Sequence, residues 1–247
     1  FALLRRAGAE DEADAYDLEF RGAERVALDV QMTRQELNKW VLRSHSLAKQ
    51  AREAGVLEPY LVGVQGATAD AGIRDRISER FLDKLPPLLP DGAILTAGNT
   101  CLMHDGAAFL MVASERYVKE HNLIPLAEIV DSVTVGGNPD KSPETAILAI
   151  QKLLAKTKHT AEDIAVFECN EAFAVIDELF ARAYPEAVDH YNRYGGALAY
   201  GHPYGASGGI ITIHACRALQ ETPGYAVCSI AAAGGIGHAL LLRAGGK

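Results

Sequence analysis

Residues 195–209 read GGALAYGHPYGASGG, a dense glycine run around one histidine, His202, set between Gly201 and Pro203. Glycines let a backbone approach a ligand closely and reach positive φ, while Pro203 fixes the φ of the residue after the histidine. The imidazole is thereby held in place. A lone histidine is commonly a surface or satisfied core residue, so the loop by itself leaves structure and catalysis both open. Upstream, residues 164–167 form an apolar run that reads as a short buried strand, and residues 172–183 carry apolar spacing that predicts a helix. Asn170, within Glu168-Cys169-Asn170-Glu171-Ala172-Phe173, therefore sits at a strand-to-helix switch. Downstream, residues 225–242 read as an apolar strand, the turn Ala231-Ala232-Ala233-Gly234-Gly235-Ile236-Gly237, and a second strand from His238. That glycine turn exposes backbone N–H groups.

An Asn-Glu-Ala-Phe element, a Gly-His-Pro loop and a C-terminal Gly-Gly-x-Gly hairpin, in this order and spacing, resemble the C-terminal half of the thiolases. The resemblance extends upstream to about Met32. Residues 32–55 look like a helix of the thiolase loop domain, and residues 95–108 (LTAGNTCLMHDGAA) look like the segment bordering the coenzyme A site. Residues 1–31 match nothing placed by the resemblance, and the acidic cluster from Glu10 to Asp14 reads as a solvated face.

The fold this implies is α/β, with a thiolase-like layered α-β-α C-terminal domain over residues 125–247. Residues 1–103 would hold an N-terminal extension and part of a partly irregular loop domain. Residues 104–124 would form an orphan strand and helix completing a partner's N-terminal domain. Residues 106–113 (GAAFLMVA) are a near-continuous apolar run, of the kind a sheet covers on both faces and both edges; uncovered, it would be prone to aggregate.

The resemblance also implies a chemistry. A cysteine thiolate takes the acyl group of one acyl-CoA, and a second acyl-CoA, deprotonated at its α-carbon, attacks it; the reverse cleaves a β-ketoacyl-CoA. A thiolase carries that cysteine on an N-terminal domain that precedes the loop domain, and 247 residues leave no room for it. The expected partner is therefore a second chain bearing the nucleophile, in a hetero-oligomer. His202 would assist ionisation of the partner's cysteine and join a water held by Asn170 in one oxyanion hole. Backbone N–H groups near Ala233 and Gly234 would serve a second hole. Ala231 falls where the family has its acid/base cysteine, and alanine has no ionisable group. Cys228, three residues away, faces the other side of an extended strand. His238 could reach back across the hairpin, or be structural.

Residues Ala97, Cys101 and Met103 would border the pantetheine arm, with Cys101 where the family usually has serine, and Arg74 would lie near the adenine. Glu171 reads as a structural hydrogen-bonder and Cys169 as buried and inert. Coenzyme A or acyl-CoA enters as substrate, with no resident cofactor. Two functions remain open: a catalytic subunit of a split thiolase-type acyltransferase, or a non-catalytic subunit that binds acyl-CoA or stabilises a catalytic partner. A fragment of a longer chain is a third possibility.

Composition agrees. The hydrophobic fraction of 49% allows a sizeable core, and a net charge of −8 argues against nucleic acid or anionic membrane as a main partner. Cys101, Cys169, Cys216 and Cys228 show no C-x-x-C spacing, which argues against a zinc site or disulfide framework and fits reduced thiols in a cytoplasmic protein. No apolar stretch approaches the roughly 20 residues of a membrane span.

Local signals complete the reading. Thr33 and Glu36 form a capping box, with Leu37, Trp40, Val41, Leu47 and Ala51 as the apolar stripe and Gly55 as the stop. Residues 66–92 read as an irregular excursion whose Arg74, Arg76, Arg80 and Lys84 make the best cationic cluster. Ser114 caps a short helix, residues 125–135 form a strand, and Ser142-Pro143 opens a helix to about Lys156. A further helix runs over residues 207–220, and alternating strands and helices make a layered α/β domain.

Overall fold

The computed structural model describes residues 12–246, with side chains from residue 18 onward. The solvated face expected at Glu10 to Asp14 lies outside the described side chains. Helices α1 (Glu12–Asp29) and α2 (Arg34–Glu53) come first, joined by a tight turn through Gln31 at φ 56°. The Thr33–Glu36 capping box forms with both of its reciprocal hydrogen bonds, and Gly55 adopts φ 65° just past the helix end. The buried face of α2 carries Leu37, Val41 and Ala48 as periodicity demands, but also Ser44 and His45. Those two polar residues serve the site described below.

The irregular excursion expected over residues 66–92 is irregular apart from the one-turn helix α3 (Glu79–Leu82). Helix α4 (Glu115–Glu120) is capped by the Ser114 hydroxyl, which accepts from the Tyr117 N–H at 3.2 Å. The rest is a layered domain: β1 (Ala127–Gly136), α5 (Glu144–Thr157), β2 (Ile164–Cys169), α6 (Ala174–Ala183), α7 (Ala197–Tyr200), α8 (Ser207–Glu221), β3 (Tyr225–Ala232) and β4 (Ile236–Ala244). The sheet runs β1-β4-β3-β2, with β2 parallel to β3 and the other two pairs antiparallel.

Alternation along the strands builds both faces of that sheet. Phe167, Val227, Ala239 and Leu241 point to the layer of α5 and α6, where Ile150, Leu153, Ile176 and Phe180 meet them. Val166, Ala226, Cys228 and Leu242 point to α8, against Ile211, Ala215 and Leu219. The α-β-α layering expected of residues 125–247 is therefore present. A third cluster joins Ala23, Val26, Leu37 and Val41 of the first two helices to Leu95, Phe173 and Leu198. Glu24 reinforces that seam, because its carboxylate accepts the N–H groups of Ala93, Ile94 and Leu95 at 2.6–2.9 Å. Residues 18–31 are thus packed into the fold.

Two local expectations are corrected. Residues 106–113 form no strand: they carry no regular secondary structure, with Phe109 89% and Met111 78% exposed, and no described strand lies beside them to complete a ladder. Ser142 does not cap α5, which begins two residues later. Its hydroxyl accepts the Gly235 N–H at 3.1 Å and donates to Pro139 O at 3.1 Å, so it bolts a 3-10 turn (Pro139–Lys141) to the β3–β4 turn. Among the described residues no helix is long and apolar enough to cross a membrane, and no cluster of potential metal ligands occurs.

Candidate active site

Asn170 follows directly on β2, and its N–H continues the sheet by bonding Ser229 O at 2.9 Å. The chain then turns into α6, which aims the Asn170 side chain at the glycine loop. There His202 is pinned by its main chain, with its N–H donated to Leu102 O at 2.8 Å. The Asn170 Nδ2 lies 3.4 Å from His202 Nε2, and His202 Nδ1 lies 2.5 Å from Ser207 Oγ. An amide that donates to Nε2 requires that nitrogen to be bare, so the network assigns the proton to Nδ1, donating to Ser207. His202 is 8% exposed, and burial pulls its pKa down to about 4. At neutral pH the ring is uncharged, with Nε2 free to accept a proton.

The loop needs its glycines. At Gly201, with φ 92°, an added Cβ would stand 1.9 Å from His104 Nδ1. At Gly196 it would stand 2.5 Å from the Glu171 carboxylate. Glu171 holds the loop: it accepts from the Ser44 hydroxyl at 2.6 Å, Asn192 Nδ2 at 2.9 Å and the Leu198 N–H at 3.2 Å, all buried. Asn192, at φ 43°, also accepts from Cys169 N–H and donates to Cys169 O. Burial raises the Glu171 pKa, against these hydrogen bonds. The carboxylate is thus a buried clamp, as expected of a structural hydrogen-bonder.

The segment before residue 106 is stitched alongside. Ala174 N–H bonds Asn99 O, Cys101 N–H bonds Ala172 O, and Met103 bridges to His202, so Cys101 and Met103 border the Asn170–His202 pair. Ala97 is exposed on the turn just before. Arg74 is exposed farther out; its N–H bonds His45 Nδ1 at 3.1 Å, beside a groove lined by Arg52, Leu57, Thr68, Asp70 and Tyr200.

Ala231 is the next-to-last residue of β3, two beyond the Ser229 that binds Asn170. It faces the α5 layer, whereas Cys228 is buried on the α8 side, as the odd spacing requires. His238 is not turned toward Ala231. It pairs in register with Ile230, and its Nδ1 lies 2.9 Å from Thr134 Oγ1 on β1. The Gly234 N–H, expected as an oxyanion donor beside Ala233, lies near the carboxyl of Glu19 and favours its ionised form.

The sequence model described as "Thiolase, C-terminal domain" matches residues 123–244, and "Thiolase, N-terminal domain" matches residues 10–116. The chain belongs to the thiolase family. It is 37% identical to an acetyl-CoA acetyltransferase of Synechocystis, covering 88% of this chain and 58% of that one. A crystal structure of the Bacillus anthracis acetyl-CoA acetyltransferase superposes with a TM-score of 0.86 at 31% identity, covering 92% of this chain and 60% of the other. The human mitochondrial 3-ketoacyl-CoA thiolase in complex with CoA superposes at 0.83 and 33%, covering 91% and 58%. This thiolase-family chain thus spans less than two thirds of the length of these relatives. Part of the family's N-terminal domain is present, against the expectation that the chain lacks it, and residues 10–31 fall inside that match.

None of the four cysteines is a ready thiolate. Burial pushes Cys101 up to about 12, raises Cys169 and Cys228 far above the usual range, and raises Cys216. The sequence reading missed Ser44, Asn192, Ser207 and Glu19. Asn192 sits in a Tyr-Asn-Arg-Tyr-Gly-Gly turn, and an asparagine there could have been taken as a left-handed position. The others are brought in from distant helices or the next turn, and no local signal marks them.

Proposed function

We propose that this chain forms part of a thiolase-type acyltransferase, catalysing Claisen condensation or thiolytic cleavage of (β-keto)acyl-CoA thioesters. The acyl-accepting cysteine comes from a partner chain in a hetero-oligomer, and coenzyme A thioesters are substrates rather than resident cofactors. The observation that carries this reading is the His202–Asn170 pair: an uncharged imidazole with its bare Nε2 at 3.4 Å from an amide donor. Such a nitrogen can take the proton of a thiol, and the pair can then donate hydrogen bonds to a thioester oxygen as charge develops on it. The raised pKa of all four of the chain's own thiols supports a nucleophile from elsewhere. Residues Cys101 and Met103, lying along the pair, would border the pantetheine arm. Ala97 would flank it, and Arg74 would reach the adenine from the groove beside Tyr200. Free thiols throughout fit a cytoplasmic setting.

A second reading is favoured by Ala231, which has no ionisable group: a non-catalytic subunit that binds acyl-CoA or supports a catalytic partner. Turnover of a β-ketoacyl-CoA with free coenzyme A by the complete assembly decides. His202→Ala and Asn170→Ala are expected to lower it about a hundredfold or more with assembly intact. Unchanged rates in both variants would favour the non-catalytic subunit.

A further inference from the structure

A thiolase-type reaction needs a group that takes a proton from the α-carbon of the attacking thioester, and Ala231 cannot. The structure brings a different ionisable group to the turn that Ala231 opens. Helix α1 docks on the 3-10 turn before α5 through ion pairs of Arg25 with Asp140 at 3.0 Å and of Lys141 with Asp29 at 2.6 Å. Gly22 allows that contact: a Cβ there would already lie 3.1 Å from Asp140 O. The docking carries Glu19, one turn earlier on the helix, over Ser142 and onto the β3–β4 turn. The Ser142 hydroxyl lies 3.3 Å from Glu19 Oε1, and the Gly234 N–H lies near the same carboxyl.

We propose that Glu19 is the proton acceptor and donor at the α-carbon of the acyl-CoA substrate, the role for which Ala231 has no ionisable group. The inference rests on the acyltransferase reading above. Three features of the geometry fit it. Glu19 is half-buried, so it is neither locked in a core nor loose in solvent. Among the described residues its hydrogen-bond partner is the Ser142 hydroxyl rather than a cation, and the Ser142 proton is shared with Pro139 O, so the carboxylate keeps accepting capacity. Among the described residues, the charged groups on its own helix and on the elements packed against it are Arg21, Glu24, Arg25 and Asp29, then Asp140, Lys141 and Glu144 at the start of α5; Arg25 pairs with Asp140, Lys141 with Asp29 and Arg21 with Asp91, while Glu24 accepts backbone N–H groups. Burial raises its pKa to about 6, partly offset by Ser142 and Gly234, which leaves it mainly ionised at neutral pH and a stronger base than an ordinary carboxylate.

The step balances. A Glu19 oxygen forms an O–H bond as the α-carbon loses its C–H bond, and the electron pair moves onto the thioester as an enolate. The enolate carbon attacks the acyl-cysteine carbonyl, and the thiolate leaves. In cleavage Glu19 returns the proton to the departing α-carbon.

The test separates the two half-reactions in the complete assembly. Deuterium wash-in at the α-carbon of acetyl-CoA in D2O reports proton abstraction, and acyl-cysteine formation reports the step dependent on His202. Glu19→Gln is expected to slow wash-in about a hundredfold or more while acylation stays within about threefold. Adding Ala231→Cys to Glu19→Gln should recover about tenfold or more of the loss, which a merely structural role would not allow. Wash-in by Glu19→Gln within about threefold of the parent, or faster than it, overturns the proposal and leaves Glu19 as a cover on the turn. A loss that Ala231→Cys does not restore also overturns it, in favour of helix docking. If the parent assembly neither acylates nor exchanges, the acyltransferase reading falls, and the Glu19 role with it.

Discussion

Removing the Glu171 clamp should destabilise the protein by an amount the geometry lets us work out. Glu171→Ala deletes a carboxylate 2% exposed that accepts three buried donors. Asn192 Nδ2 keeps its bond to Cys169 O, so its loss is partial. The Ser44 hydroxyl proton and the Leu198 N–H are left without acceptors, at about 1–3 kcal/mol each. The emptied space adds to the loss, and relief from burying an ionisable group subtracts from it. The net is about 3 kcal/mol, which for a protein of this size is a fall of roughly 6–12 °C in Tm. Glu171→Gln fills the same space, and its oxygen can serve Ser44 and Leu198. Its amide then faces Asn192 Nδ2 donor to donor, so its loss should be about 1 kcal/mol, or roughly 2–4 °C. Calorimetry of both variants checks the order. If Glu171→Ala melts within about 2 °C of the parent, or Glu171→Gln is the worse of the two, Glu171 is not what holds the loop.

Burial pulls the His214 pKa down to about 4, so the folded state holds a neutral ring while the unfolded chain protonates near 6.5; that stability is full above pH 6.5 and is lost as pH falls toward 4. His214→Phe should therefore gain about 2 kcal/mol relative to the parent between pH 7.5 and pH 5, in paired urea titrations at the two pH values, and a constant difference would refute the shift. The apolar stretch Phe109 to Val112 is exposed in the described chain, so Phe109→Asp should leave Tm within about 1 °C but reduce light scattering of the chain expressed alone. Unaltered scattering would show that this stretch is not what drives association.

Elements stabilised by their own residues were legible from sequence. The capping box of α2, the Gly55 stop and the Ser114 cap each depend on groups within a few positions, and each is found where the pattern places it. Segments whose state depends on a neighbour were not. Residues 106–113 have strand composition, yet a strand exists only where a second one pairs with it. Ser142-Pro143 has the form of a helix start, but a better partner for the serine hydroxyl is the Gly235 N–H, 93 residues away. The site divides in the same way. Asn170 and His202 stand out because a strand-to-helix switch and a glycine loop leave local marks. Glu19 reaches Ser142 across 123 residues and Ser44 reaches Glu171 across 127, contacts that only packing reveals.

The order of strands also bears on how the chain is made. Strand β1 has one ladder partner, β4, and pairs from Ala127↔Ala244 to Gly136↔Ile236, so its nearest paired residues are 236 − 136 = 100 positions apart. During synthesis at about 5–20 residues per second, β1 emerges roughly 5–20 s before the first residue it can pair with. Through that interval an edge bearing Ile129 and Val130, with Phe109 and Met111 just before it, has no cover from its own sheet. The nascent chain thus presents an apolar stretch well before its closing strand exists, a stretch that a chaperone holdase can engage while translation continues.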